Sequence, residues 1–251
     1  MAEPVRVAVW SGPRTLSTAL MRSWENRSDT AVVDEPFYAV YLAATGLGHP
    51  GRDAVLASQP ADWRAVAAAL SGPVPGGAPV WVQKHMAHHL LPHVGREWLD
   101  APSFRHAFLI RDPAAAVVSL DRVTPDPALA DTGLPQQVEL FERMSERDGT
   151  APPVVDTADL LRDPRGVLHA LCGALGLAFD PAMLAWPPGP RATDGVWAEH
   201  WYASVEASTG FDPPRAHTPD VPDRLAPLVA RARPLYDALS AHRLRPDAPA
   251  V

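Results

Sequence analysis

The chain contains little lysine and cysteine and has no net positive charge. Of its 22 basic residues only Lys84 is a lysine, and 29 acidic residues give a formal net charge of −7 at pH 7. Nucleic-acid binding depends on neutralising many phosphates at once, so this balance argues against a protein that coats a polyanion. Any basic site must therefore be a local cluster.

Long apolar segments are also missing. No stretch approaches the roughly 18 to 20 apolar residues that a membrane-spanning helix needs, and the apolar run near the N-terminus is too short for a secretion signal. Cys172 is the single cysteine, so it cannot form an intramolecular disulfide, and its apolar neighbours predict a buried structural thiol. Together these features predict a soluble cytoplasmic protein with neither a membrane nor a nucleic acid as partner.

What the chain does have is an alternation of short β-branched runs and amphipathic helical patterns. This alternation is typical of βαβ units. It predicts a single three-layer α/β/α domain with a central parallel sheet over residues 1–245, followed by a disordered tail at 246–251. The predicted strands are Val5–Trp10, Thr30–Asp34, Pro79–Gln83, Arg105–Ile110 and Pro153–Asp156. The predicted helices are Thr15–Arg27, Asp62–Leu70, Ala114–Arg122, Gln136–Arg147, Arg165–Leu175, Val196–Ser208 and Val221–Leu239.

The first strand leads into a candidate phosphate-binding loop, Gly12–Thr18. Free backbone N–H groups and the helix dipole attract an anion at such a junction. Arg14 would add a charged donor. The loop of nucleotide triphosphatases is a poor match, because Ser17, Thr18 and Ala19 stand where that motif has its second glycine, its lysine and its magnesium-binding hydroxyl. An ordinary strand, turn and helix without a ligand is the alternative.

Three segments carry a resemblance to a known family. GPRTLSTAL resembles the 5′-phosphosulfate loop of sulfotransferases that use 3′-phosphoadenosine-5′-phosphosulfate (PAPS), with Leu16 in place of a small residue. FLIRDPAAAVVSL is similar to the family's 3′-phosphate motif, in which a serine follows an arginine by eight residues, as Ser119 follows Arg111. A third stretch, VVDTADLLRDPRGVLHALCGALGLAFDP, is similar to a strand-and-helix segment of the family, with Asp159 in its acidic position. The resemblance spans about residues 5–180.

The resemblance implies which residues hold the donor. The loop residues expected on its 5′ side are Gly12, Pro13, Arg14, Thr15, Leu16, Ser17 and Thr18, and those expected at its 3′ phosphate are Arg111 and Ser119. Family members also close the donor site with a basic, glycine-containing loop near the C-terminus, which makes Arg191 a further candidate.

The resemblance also offers two candidate bases. VWVQKHMAHHLLP is similar to the family segment that carries a catalytic histidine, which falls on His85, with Lys84 displaced by one residue from the family's lysine. Another branch of the family has a carboxylate at the end of its second strand, where Glu35 stands. A neutral imidazole accepts a proton at neutral pH without tuning, so His85 is favoured, and Glu35 either orients the substrate or is itself the base. Lys84 would stabilise negative charge at the reacting centre.

Four histidines raise the question of a metal. His85, His88, His89 and His93 have the spacing of one helix face. No cysteine lies near them and no H-E-x-x-H pattern occurs, so we expect no metal site and assign the other histidines to the acceptor pocket or to solvent.

The sequence thus predicts transfer of a sulfuryl group from PAPS to a hydroxyl or similar group of a small-molecule acceptor, with adenosine 3′,5′-bisphosphate as product. A small-molecule kinase of similar fold and a non-catalytic nucleotide-binding protein remain alternatives. The sequence leaves open both the identity of the acceptor and the oligomeric state, for which a monomer and a homodimer are the alternatives.

Overall fold

The computed structural model describes residues 3–213 and 220–245. The tail predicted at 246–251 lies outside these residues. The strands are β1 (Val5–Ser11), β2 (Thr30–Asp34), β3 (Val80–Met86), β4 (Phe104–Ile110) and β5 (Val154–Asp156). The α-helices are α1 (Ser17–Glu25), α2 (Tyr38–Thr45), α3 (Arg52–Ser58), α4 (Trp63–Ser71), α5 (Pro113–Asp121), α6 (Leu134–Asp148), α7 (Thr157–Arg162), α8 (Pro164–Ala174), α9 (Ala198–Trp201), α10 (Ala203–Glu206) and α11 (Ala226–Ser240).

The five strands form one parallel sheet in the order β2-β3-β1-β4-β5. β1 therefore lies at the centre, where Ser11 at its end pairs with Met86 of β3 on one side and with Leu109 of β4 on the other. Chain connections leave the centre in both directions, and in such sheets ligands bind beyond the carboxyl ends of the strands at that point. The predicted α/β fold with a central parallel sheet is confirmed.

Helices cover both faces of the sheet, because the central strands are apolar on both sides. Val7 and Val9 of β1 pack with α1 and α8, whereas Ala8 and Trp10 face the cluster built from α4, α6 and α11. Within the described residues, no helix is long and apolar enough to cross a membrane.

The structure corrects the predicted elements near the site. β3 runs to Met86, three residues beyond the predicted end at Gln83. The histidines that follow do not share a helix face, because His85 lies in this strand and a short 3₁₀ turn carries His88 and His89. The helix predicted over Val196–Ser208 is two single turns, α9 and α10. The predicted helices do not include α2, α3 or α7.

A second segment packs directly on the end of β1. Thr132 and Gly133, which precede α6, lie against Gly12, so closely that a β-carbon at Gly12 would stand 2.1 Å from the carbonyl oxygen of Thr132. With its amide oriented so that both atoms are satisfied, Gln137 of α6 accepts a hydrogen bond from the N–H of Gly12 and donates one to the carbonyl of Leu109. The start of the loop is therefore fixed by α6 and the turn that precedes it.

We expect Gly12→Ala to lower the free energy of unfolding by about 2 kcal/mol or more, because the obstructing atom belongs to the backbone and cannot rotate away. Urea denaturation measures the change. Gly173→Ala in α8 is the matched control, because nothing lies within 4 Å of its β-carbon position. An alanine tolerated equally well at both positions would contradict the packing described here.

Candidate active site

The loop between β1 and α1 has the backbone of an anion-binding turn. Arg14 and Leu16 have φ angles of 63° and 65°, in the left-handed region that non-glycine residues rarely adopt. α1 begins at Ser17 with no side-chain cap and no acidic residue in its first turn. Its first N–H groups have no partners within the helix, and they carry the positive end of the helix dipole. This combination favours an anion in front of α1.

Two threonines hold this loop against the sheet. The hydroxyl of Thr15 donates to the carbonyl of Gly12 at 2.7 Å. The buried hydroxyl of Thr157, at the start of α7, lies 3.1 Å from the carbonyl of Thr15 and 2.8 Å from that of Ile110 at the end of β4. The sequence analysis did not name Thr157 as a site residue, although its position at the end of the last predicted strand was a usable signal.

The two predicted phosphate motifs meet beside this loop. The Nε of Arg14 donates to the hydroxyl of Ser119 at 3.1 Å, and Nη1 of Arg111 donates to the carbonyl of Arg14 at 2.7 Å. Burial and the nearby charge of Arg14 lower the pKa of Arg111. Across residues 3–213 and 220–245, neither guanidinium forms an ion pair, because Asp112 is paired with Arg233 instead. We name these three residues, Arg14, Arg111 and Ser119, the arginine cluster.

A second polar cluster lies where β2 and β3 end. The Lys84 ammonium donates to Asp34 at 2.8 Å, to Glu35 at 2.7 Å and to the hydroxyl of Tyr202 at 2.7 Å. The Tyr202 hydroxyl in turn donates to Asp34 at 2.6 Å. The side chains of Lys84 and Asp34 are 2% and 1% exposed, whereas that of Glu35 is 12% exposed. We name these four residues, Asp34, Glu35, Lys84 and Tyr202, the lysine cluster.

Electrostatics in the lysine cluster follow from this burial. Burial alone would lower the pKa of Lys84, but the charges of Asp34 and Glu35 raise it well above its usual value, so the ammonium stays charged. Burial raises the pKa of the Glu35 carboxyl, and the charge of Asp34 raises it further, against the opposing effect of Lys84. The backbone of Glu35 is also strained, with a φ of 40°. A raised carboxyl pKa and a strained backbone are both common at functional sites.

Comparison with known proteins identifies the family. A model described as "Sulfotransferase domain" matches residues 5–243. The chain belongs to the sulfotransferase family. It is 38% identical over 243 residues to branched-chain-amino-acid aminotransferase-like protein 1 of Arabidopsis thaliana and 33% identical over 237 residues to aminotransferase-like protein 2 of the same plant. These alignments cover 96% and 94% of this chain but 43% and 41% of those proteins, so the chain spans about two fifths of their length.

Solved sulfotransferase structures share the fold. The sulfotransferase domain of the Synechococcus PCC 7002 olefin synthase is 21% identical with a TM-score of 0.57, over 98% of both chains. The sulfotransferase of Alicyclobacillus acidocaldarius is 17% identical with the same TM-score and coverage. The sulfotransferase domain of the curacin biosynthetic pathway is 17% identical with a TM-score of 0.55, over 96% of this chain and 99% of that one.

In this member of the sulfotransferase family, His85 and Lys84 lie on opposite faces of the sheet. Successive side chains of a strand alternate, so Lys84 faces Asp34 on the side of α1, whereas His85 is stacked on Trp10 at a centroid distance of 4.3 Å on the other side. His85 is 1% exposed, and its Nε2 lies 3.3 Å from the Gln83 side-chain oxygen. Burial lowers its pKa to about 3.

Arg191 lies away from the arginine cluster. Its Nε is 4.0 Å from the carboxylate of Glu25, which ends α1. The loop beside it is fastened by a buried ion pair between Arg22 and Asp194, at 2.6 Å. Since α1 rises about 1.5 Å per residue, roughly 12 Å separates this end from the phosphate loop at Ser17. The structure therefore brings Arg14, Arg111 and Ser119 together but leaves Arg191 at the far end of the helix.

The histidines after β3 pack among aromatic rings. His89 is stacked on Tyr38 and Tyr41, each at a centroid distance of 4.8 Å, and His88 lies edge-on to Tyr41. Burial lowers the pKa of His88 to about 3, so it is neutral at physiological pH. Over the described part of the chain, no three histidine, cysteine, aspartate or glutamate side chains are grouped so as to hold a metal ion.

We expect Asp34→Asn to lower the free energy of unfolding by about 2 to 4 kcal/mol, because it removes a carboxylate from a buried ammonium and leaves that charge only partly compensated. Chemical denaturation is the measurement. Asp53→Asn is the control, since that side chain is 97% exposed and 3.4 Å from Arg52, and it should leave stability unchanged. Equal effects of the two substitutions would show that Asp34 is not needed to compensate Lys84.

Proposed function

We propose that this sulfotransferase moves a sulfuryl group from PAPS to a hydroxyl group of a small-molecule acceptor and releases adenosine 3′,5′-bisphosphate. The observation that carries the proposal is the arginine cluster. Two guanidinium groups that have no carboxylate partner within the described residues lie beside a serine hydroxyl and the uncapped start of α1. A donor with phosphate groups at two ends requires such a pair of adjoining anion sites.

The residues present fit the two ends of the donor. Backbone N–H groups at the start of α1, with the side chains of Ser17 and Thr18, would hold the phosphosulfate, while Arg111 and Ser119 would hold the 3′ phosphate. The Thr15 hydroxyl instead donates to the carbonyl of Gly12 within the loop. Arg14 lies between the two sets, because its backbone belongs to the loop and its side chain contacts Ser119. The donor supplies the sulfuryl group and the leaving phosphate.

The chain's own residues then have two tasks in this reaction. A bond forms between the acceptor oxygen and sulfur while the bond between sulfur and the phosphate oxygen breaks, so negative charge grows on the phosphate. The dipole of α1 and the charge of Arg14 lie where they would stabilise it. The acceptor proton requires a base, which is the second task.

The geometry favours Glu35 over His85 as that base. Glu35 is partly exposed at the edge of the sheet, its pKa is raised, and one of its oxygens accepts a hydrogen bond from Lys84. His85 is enclosed by Trp10, Phe37 and Trp98, and with a pKa of about 3 it is a weak base. In this arrangement His85 supports the sheet under the site.

A cytoplasmic location belongs to the same proposal. Burial raises the pKa of the single thiol, that of Cys172, to about 11. A buried, protonated thiol with no partner cysteine is compatible with a reducing compartment.

The proposed function predicts how the donor product binds. We expect adenosine 3′,5′-bisphosphate to bind in the presence of EDTA, and Arg111→Ala to weaken binding by about 30-fold or more, because a charged hydrogen-bonding partner of a phosphate is worth roughly 2 kcal/mol or more. Isothermal titration calorimetry measures both.

Arg105→Ala is the matched control, because Arg105 lies near the opposite end of β4 and donates to the carbonyl of Pro102. Adenosine 5′-phosphate should bind more weakly than the bisphosphate. Equal affinity for the two nucleotides would show that the assignment of the 3′-phosphate site is wrong. Binding of ATP that requires magnesium would favour a kinase.

The proposed function also predicts which residue acts as the general base. We expect Glu35→Gln to lower kcat by roughly 10² to 10⁴-fold while bisphosphate affinity is retained, because a proton acceptor acts on the transition state and not on donor binding. His85→Gln should change kcat far less and reduce thermal stability. Steady-state transfer assays on both variants decide whether Glu35 or His85 is the base. A His85→Gln enzyme that folds normally but is nearly inactive would identify His85 as the base.

A further inference from the structure

The Tyr202 hydroxyl bridges Lys84 and Asp34 within the lysine cluster. It accepts hydrogen bonds from the Lys84 ammonium at 2.7 Å and from the indole N–H of Trp197 at 3.2 Å, and it donates to Asp34 at 2.6 Å. Both lone pairs and the single hydrogen of a phenol are thereby used. Tyr202 joins the C-terminal segment of the domain to the ends of β2 and β3, although its sequence context predicts only a core aromatic residue.

The Lys84 ammonium has no hydrogen left for a further hydrogen bond. An ammonium group has three hydrogens, and in Lys84 they go to one oxygen each of Asp34, Glu35 and Tyr202. The second oxygen of Asp34 accepts from the Tyr202 hydroxyl and from the backbone N–H of Gly195. Asp34 is thus fully compensated through three donors.

Glu35 differs from Asp34 in this respect. One of its oxygens accepts from Lys84, and the other accepts no hydrogen bond from residues 3–213 or 220–245. Glu35 is also the more exposed of the two carboxylates. The cluster therefore contains one carboxylate that is satisfied and one that can still accept a hydrogen bond.

We propose that Tyr202 is a positioning residue for sulfuryl transfer: its hydroxyl satisfies Asp34 and the third hydrogen of Lys84, so that Lys84 holds one oxygen of Glu35 and leaves the other to the acceptor hydroxyl. This inference rests on the proposed function, with Glu35 as base. Without the hydroxyl, the charge of Asp34 is less compensated, and Glu35 becomes easier to protonate because that charge lies beside it.

Two further titratable groups face the lysine cluster. Tyr38 of α2 is influenced by the charges of Glu35 and Lys84, and its pKa lies far above neutral, chiefly because it is buried. His89, in the turn after β3, has its pKa lowered well below its usual value by burial and by nearby histidines. Burial thus favours the neutral form of both groups, so a change in the pH profile near neutral pH reports on the lysine cluster itself.

Tyr202→Phe tests the proposal, because it keeps the ring and removes only the hydroxyl. Tyr236→Phe is the matched control, since the Tyr236 hydroxyl donates to Asp156 at 2.7 Å in the same way but outside the lysine cluster. Lys84 is the only lysine, so lysine labelled with ¹⁵N gives a single side-chain ammonium signal in NMR spectra.

We expect Tyr202→Phe to shift the Lys84 signal and to speed the exchange of its hydrogens with water by about tenfold or more, because one of three hydrogen bonds is lost. In transfer assays kcat should fall by about tenfold or more, with KM for the donor changed by less than about twofold. The rising limb of the pH profile should move to higher pH, since a base with a raised pKa is deprotonated only at higher pH. Tyr236→Phe should show none of these changes.

The outcomes separate the two proposals. A wild-type enzyme that binds no bisphosphate and transfers no sulfuryl group overturns the proposed function, and the inference with it. An active wild-type enzyme whose Tyr202→Phe variant matches Tyr236→Phe in the Lys84 signal, in kcat and in the pH profile overturns the positioning role alone. A Tyr202→Phe variant that loses stability but keeps the wild-type pH profile and kcat also overturns it.

Discussion

The site depends on the hydrogen-bonded pairing of β1 with β3 on one side and β4 on the other. Parallel pairing places the carboxyl ends of these strands at one edge, with Ser11 next to both Met86 and Leu109. The loop between β1 and α1, the residues Asp34, Glu35 and Lys84, and Arg111 all lie within a few residues of this edge. Segments far apart in sequence therefore meet without any long-range motif between them.

The two charged clusters at this edge differ in whether their positive charges are paired with carboxylates. Lys84 is buried and completely paired, as a charge removed from water must be. Arg14 and Arg111 lie closer to solvent and pair with no carboxylate of the described chain, and the charge of Arg14 lowers the pKa of Arg111. The first cluster keeps its geometry through these pairs, whereas the second carries positive charge that no carboxylate of the described residues neutralises.

Backbone strain is concentrated at the same edge. Arg14, Leu16 and Glu35 account for three of the four non-glycine residues with positive φ in the described chain. Such conformations cost of order 1 kcal/mol or more each and persist only where surrounding contacts enforce them. Around Glu35 those contacts are visible: its N–H donates to the carbonyl of Lys84, and its own carbonyl accepts from the N–H of Tyr38.

The sequence by itself determined the fold class and four of the five strands to within one residue at each end, because apolar alternation and polar strand ends are local signals. It placed the end of β3 three residues too early. With a period of two in the strand, that extension puts Lys84 and His85 on opposite faces. The contacts of Tyr202 with Lys84 and of Arg191 with Glu25 were decided only by tertiary structure, since they join residues more than a hundred positions apart. No pattern along the chain encodes such distances; they follow from how the C-terminal loop packs across α1 and the sheet.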